Sequence, residues 1–136
     1  MLERSIFSAR YCFSENLKRS GLLSDIEYIM LNQWFDYVMT QHNPQVDLIV
    51  YLRTTPEKCY ERIKARNRPE EQIVSLEYLK QLHDLHEAWL IGEENTSFIR
   101  PPVLVVNGDQ DKQTIRSKLF GIQKQIFEHL KQPVYT

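Results

Sequence analysis

Residues 46–57, "VDLIVYLRTTPE", decide the fold. Positions 46–53 are a continuous run of apolar and β-branched residues, the pattern of a strand buried on both faces of a parallel sheet. Thr55-Pro56-Glu57 then opens a helix: a Thr N-cap, a Pro at the first helical position, and a carboxylate facing the positive end of the helix dipole. That helix is expected to run to about Arg66. A second strand of the same kind follows at 102–108, "PVLVVNG". Strands separated by helical segments imply parallel pairing through right-handed crossovers, so the fold class is α/β.

Working outward, Ile6, Ala9, Phe13 and Leu17 recur at helical spacing before Gly21, which predicts a helix over about 5–20. Ser24-Asp25-Ile26-Glu27 is a capping-box pattern opening a second helix through Ile29, Met30, Trp34, Tyr37 and Val38. Charged "RNRPEEQIV" (66–74) reads as an exposed loop. Ser75 caps a helix carrying Leu76, Leu79, Leu82, His86, Trp89 and Leu90 along one side. A last helix carries Ile115, Leu119, Ile122, Ile126 and Leu130. The Tyr, Trp and Phe residues fall mostly on predicted core faces. Two strands do not make a sheet buried on both faces and edges by themselves. The expectation is therefore that further strands lie upstream. Met1-Leu2 would end one of them, and Glu3 would stand at its carboxyl end, where open α/β sheets place their ligands.

The 136 residues fit one domain. Lys and Arg number 17 against 18 Asp and Glu, a net charge of −1 that argues against a nucleic-acid partner, so any phosphate chemistry is local. Cys12 and Cys59 lack metal-ligand spacing and read as reduced thiols. No apolar run approaches the ~18 residues of a membrane span, and the amino terminus has no signal-peptide core. The expectation is an intracellular protein with no membrane partner, in cytoplasm or mitochondrion.

Two clusters bear chemistry. Glu3-Arg4-Ser5 has two readings: a carboxylate able to hold Mg²⁺ beside a guanidinium that orders substrate oxygens, or a solvated start with Ser5 as N-cap. "ERIKARNRPEE" (61–71) places Arg62, Lys64, Arg66 and Arg68 at a helix end and loop mouth, followed by Glu70 and Glu71. Late cations suit the helix dipole. Alternating arginines on a loop also suit closure over a polyphosphate, whose transferring group needs compensating charge. His83, His86 and Glu87 form H-D-L-H-E, not the H-E-x-x-H zinc pattern, and His86 reads as a packed residue. No G-x-x-x-x-G-K-[ST] occurs within the 136 residues.

Together, "ERSIFSARYCF", "DLIVYLRTTPEKCYERI", "RNRPEE" and "LEYLKQLHDLHEAWL" resemble, in order and spacing, the carboxyl-terminal half of the deoxynucleoside kinases, near the insect-type multisubstrate and mitochondrial thymidine kinase branches. The resemblance implies one kinase domain portion over 1–136 with its lid at about 66–74. It implies a P-loop kinase-like parallel sheet flanked by helices, here two strands and five helices, and use of ATP and Mg²⁺ to phosphorylate a deoxynucleoside. By the same resemblance Glu3 is the carboxylate near Mg²⁺ and phosphate, and Arg4 orders the 5′-oxygen. Arg66 and Arg68 embrace the transferring phosphate, Arg62 lies beside the adenine of ATP, and Glu71 accepts the sugar 3′-hydroxyl. Phe13 stacks on the substrate base, and Ala9 stands where cytidine-preferring relatives carry Asp. Pro69 departs from the polar residue usual in the lid. A homodimer through helices 5–20 and 75–90 is implied as well. Because the P-loop is not among these residues, the expectation is that the chain is inactive alone. The alternative is a truncated, non-catalytic module that pairs with full-length kinase subunits.

Overall fold

The computed structural model describes residues 5–92 and 101–130, without the side chains of 124–126 and 128–130. The chain divides into two units, Met1–Gln45 with Pro56–Arg100 and Val46–Thr55 with Pro101–Thr136.

In the second unit the two apolar runs form β1 (Ile49–Arg53) and β2 (Val103–Asn107), paired in parallel from Ile49↔Val103 to Arg53↔Asn107. The carboxyl ends of the strands are tied together. Gly108 N–H donates to the Arg53 carbonyl at 2.7 Å. One Asp109 carboxylate oxygen accepts from Thr55 N–H at 2.8 Å and from its hydroxyl at 3.1 Å. The approach at Gly108 is close enough that a Cβ there would meet Thr54 Oγ1 at 2.1 Å and the Arg53 carbonyl at 3.1 Å. A final helix follows, α6 (Lys112–Leu130), the last of six in chain order among the described residues, and Asp111 caps it by accepting from Gln113 and Thr114 N–H at 2.9 Å each.

The strands are as open as two strands by themselves are expected to be. Val106 is buried, but Val50, Leu52 and Val105 each leave more than 40 % of their surface open. The ladder has only two strands among the described residues, so neither outer edge has a neighbouring strand to cover it. The sequence signature of two-sided burial is present without the layers that would provide it.

In the first unit, Ser5 accepts from Ser8 N–H at 3.2 Å and starts α1 (Ile6–Ser8). The helix widens into a π-helical segment, Ala9–Ser14, and narrows again into α2 (Glu15–Arg19). Gly21 ends it in the left-handed region at φ 69°, the usual conformation after a helix. The capping box expected at Ser24 forms in full: Ser24 Oγ accepts from Glu27 N–H at 3.3 Å, and the Glu27 carboxylate accepts from Ser24 N–H at 2.9 Å. It opens α3 (Asp25–His42), which is bound to α2 by the Lys18–Asp25 ion pair and by a 2.6 Å hydrogen bond from the Tyr28 hydroxyl to Glu15. Burial works to raise the Glu15 carboxyl, but hydrogen bonds from Tyr28 and Arg19 and the charges of Arg19 and Arg10 outweigh it and hold the group below its ordinary range. Then come α4 (Pro56–Arg66) and α5 (Leu76–Leu90), the latter capped by Ser75.

The core of this unit is Cys12, Phe35, Met39, Leu85 and Leu90, with Asn16 as its buried polar member. Tyr11 joins the elements: its ring stacks on Trp89 of α5 at 5.4 Å and meets Phe35 of α3 edge-on at 5.7 Å. The assignment of aromatics to core faces is corrected here. On α3 the residues Ile26, Ile29, Met30, Trp34 and Tyr37 all face outward, with Trp34 stacked on Tyr37, while Phe35 and Met39 point inward.

Two outcomes are expected. Gly108→Ala should lower unfolding free energy by about 1–3 kcal/mol through overpacking at the strand ends. Gly121→Ala, in the α6 interior with nothing within 4 Å, should raise it by roughly 0.5–1 kcal/mol; chemical denaturation of both variants measures the pair. Burial pushes the Cys12 thiol up to about 12, so near pH 8 it should resist a disulfide reagent until denaturant is added. Ionisation of this thiol is disfavoured in the folded state, so its contribution to stability is intact below its ordinary value of 9.0 and declines as pH rises toward about 12.

Candidate functional site

The lid is built at the end of α4. Arg62 and Arg66 lie one turn apart on the helix, and Asn67 leaves it in the left-handed conformation, φ 51°, which asparagine tolerates better than most residues. Arg68 is extended (φ −80°, ψ 134°), and Pro69 begins a single 3-10 turn, Pro69–Glu71, closed by Glu71 N–H on the Arg68 carbonyl at 3.1 Å. This path turns the chain back on itself. Glu71 thereby receives Arg66 as a fork, Nε at 2.9 Å and Nη2 at 2.8 Å on its two oxygens, while Arg68 Nη1 stands 3.7 Å away. Arg66 and Arg68 keep about half of their side-chain surface open, at 47 % and 57 %, against 21 % for Glu71.

Of the predicted site residues, Arg66 and Arg68 therefore both gather on Glu71. Arg62 is half-buried one turn earlier. Lys64 turns elsewhere, its ammonium 5.0 Å from the centre of the Tyr60 ring, so it is a helix-surface contact and not part of the cluster. Lys80 lies 3.7 Å from Glu57, linking α5 to the first turn of α4.

Ala9 and Phe13 both fall in the π-helical segment, and both are half-buried. Phe13 meets His86 edge-on at 6.4 Å, and His86 Nδ1 is 2.6 Å from the Leu82 carbonyl. His86 is thus the packed residue the sequence indicates. Periodicity predicts an ordinary helix here; the structure inserts a wider turn, a feature frequent at functional sites. Neither the turn nor the Arg66–Glu71 fork was foreseen. The signal for the fork is the run Arg66-Asn67-Arg68-Pro69: a residue suited to the left-handed conformation directly after the last helical cation, then a proline to start a tight turn.

Glu3 and Arg4 lie outside the described residues. Among those described, no group of three His, Cys, Asp or Glu is gathered as a metal ion would need. Likewise no described helix is long and apolar enough to cross a membrane.

The 66–71 turn thus holds two half-exposed guanidiniums around one carboxylate, while Ala9 and Phe13 stand half-buried in the π-helical segment. The chain also has similar proteins of known kind. Thymidine kinase 2, mitochondrial, of Homo sapiens is 51 % identical over 110 residues, covering 80 % of this chain and 41 % of that protein. Deoxycytidine kinase 2 of Gallus gallus is 40 % identical over 117 residues, covering 80 % and 43 %. Deoxyguanosine kinase, mitochondrial, of Xenopus laevis is 38 % identical over 119 residues, covering 82 % and 44 %. The chain thus spans less than half the length of these relatives. The sequence profile of the deoxynucleoside kinases matches residues 1–131, nearly every position, and the chain belongs to that family.

Proposed function

We propose that this segment carries the lid and the base-side helices of an ATP-dependent kinase that transfers the γ-phosphate to the 5′-hydroxyl of thymidine or deoxycytidine. The observation that carries the reading is the lid itself: Arg66 and Arg68 project from a tight turn into solvent, within reach of one another through Glu71. Phosphoryl transfer is chiefly a matter of positioning and of compensating charge on the transferring group. Two guanidiniums on one turn supply that charge in a planar, multiply donating form. Arg62, a turn back on α4, lies beside the adenine of the donor. Glu71 accepts the sugar 3′-hydroxyl. Phe13 offers a flat face that rewards any base without reading its edge, and the Ala9 methyl leaves room for the methyl group of thymine. Glu3 and Arg4 serve the reacting end, Glu3 holding Mg²⁺ directly or through water and Arg4 ordering the 5′-oxygen. When bound, Mg²⁺ supplies further neutralisation of the phosphates.

The same reading includes a homodimer formed through helices 5–20 and 75–90, and residence in cytoplasm or mitochondrion, the latter being the compartment in the names of thymidine kinase 2 and deoxyguanosine kinase. A non-catalytic module that pairs with full-length subunits is the second reading.

A chimera separates the two. Residues 1–136 replace the matching segment of human thymidine kinase 2, and the purified chimera and the 136-residue chain are assayed for ATP-dependent phosphorylation of thymidine and deoxycytidine. Activity in the chimera and none in the chain supports the kinase reading; an inactive but folded chimera counts against it. Within an active chimera, Arg68→Ala should lower kcat by about 10²-fold with a smaller change in nucleoside KM, because the charge it compensates develops during transfer. Glu71→Ala should chiefly raise KM, and more for thymidine than for its 3′-deoxy analogue. Ala9→Asp should move the kcat/KM ratio toward deoxycytidine, since a buried carboxylate facing thymine's methyl has no partner.

A further inference from the structure

The lid holds its own cation. Glu71 occupies one of the two forked edges of Arg66, the Nε–Nη2 edge, with Nε at 2.9 Å and Nη2 at 2.8 Å. Its distance from Arg68, 3.7 Å, makes it a shared counter-ion for both lid arginines. Glu70 differs in every respect: it is exposed, and no described cation pairs with it. The geometry is written into the backbone. Asn67 in the left-handed region reverses the chain, and Pro69, whose ring fixes its φ, starts the turn that returns Glu71 to Arg66. A fork from guanidinium to carboxylate has the same planar, two-point form as a fork to phosphate. On the Nε–Nη2 edge the two are therefore alternatives, and Glu71 also offsets the charge of Arg66 wherever else an anion approaches it.

We propose that Arg66 and Glu71 form an exchange latch: an anion gripped on the Nε–Nη2 edge of Arg66 displaces the Glu71 carboxylate from it, so Glu71 sets a threshold on polyphosphate capture. The proposal rests on the phosphate reading of the lid given above. Its consequence is that removing the Glu71 charge strengthens polyphosphate binding by more than removing the adjacent Glu70 charge, although both variants change net charge equally. The pair is half-exposed, so the gain is modest, about two- to fivefold in Kd.

The test uses the 136-residue chain and inorganic tripolyphosphate, with calorimetry for affinity and the Arg66 Nε–H signal in nitrogen-edited NMR for the fork. Glu71→Gln, Glu70→Gln, Arg66→Ala and the Arg66→Ala/Glu71→Gln double variant are compared. The latch predicts that the Arg66 signal moves in Glu71→Gln and in tripolyphosphate, but not in Glu70→Gln. It predicts tighter tripolyphosphate binding in Glu71→Gln than in Glu70→Gln, with that advantage lost in the double variant. Equal gains in Glu70→Gln and Glu71→Gln overturn the latch and leave the phosphate reading standing, because net charge alone then explains both. Retention of the Glu71→Gln gain without Arg66 also overturns it. Failure of every form to bind tripolyphosphate, with the Arg66 signal still dependent on Glu71, counts against the phosphate reading and removes the basis of the proposal with it.

Discussion

The ring of Tyr11 is the contact on which the helical unit depends. One face lies on Trp89 of α5, the edge meets Phe35 of α3, and the Arg10 guanidinium stands 5.7 Å from its centre while also approaching Tyr28 at 5.2 Å. Tyr11 is itself half-buried, but few described side chains in this unit are enclosed, and its ring links the first helical stretch to both α3 and α5. Aromatic pairs of this kind add roughly 0.5–1.5 kcal/mol beyond the area they bury. Because Phe13 and Ala9 belong to the same π-helical segment as Tyr11, the positions assigned to base recognition share its anchorage.

The lid is organised on a different physical basis. It has little apolar burial and takes its shape from backbone conformations and charge: a left-handed asparagine, a proline-started turn and a forked ion pair. Interactions of that sort are individually weak at an exposed site. The aromatic contacts of the helical unit, by contrast, are partly buried and bring in packing as well as ring geometry.

The parts of the fold legible in the sequence are those fixed by local chemistry. Ser24 with Glu27, Ser75, and Pro56 at the first helical position each announce a helix start that the structure contains. The parallel pairing followed from two apolar runs separated by helices. Burial was less legible, since periodicity identifies a face that suits cover but not what covers it. Trp34, Tyr37 and Met30 of α3, and Val50 and Leu52 of β1, are apolar yet open. The π-helical segment was hidden for a related reason: Ile6, Ala9, Phe13 and Leu17 satisfy an ordinary helical spacing, and one wider turn disturbs it too little to read. Within the site, Arg66, Arg68 and Glu71 were found by residue type and order, whereas their pairing depended on the φ of Asn67, which the sequence permits without requiring. Glu3 and Arg4 lie outside the described residues.

The π-helical segment also bears on how this region tolerates changes of length. Its hydrogen bonds reach one residue farther than those of an α-helix, so it accommodates the equivalent of a single inserted residue without breaking the helix on either side. Loss of one codon between Ala9 and Ser14 therefore removes only the extra residue, restoring a regular helix that keeps Ser5–Ser8 in the same orientation relative to α2. A further inserted residue finds that slack already used, and taken up as regular helix it turns Ser5–Ser8 by roughly 100° about the axis. The length of this short stretch is therefore constrained on one side only: it can shorten by one residue at little cost, whereas lengthening changes which side of the helix Ser5 and Ile6 occupy.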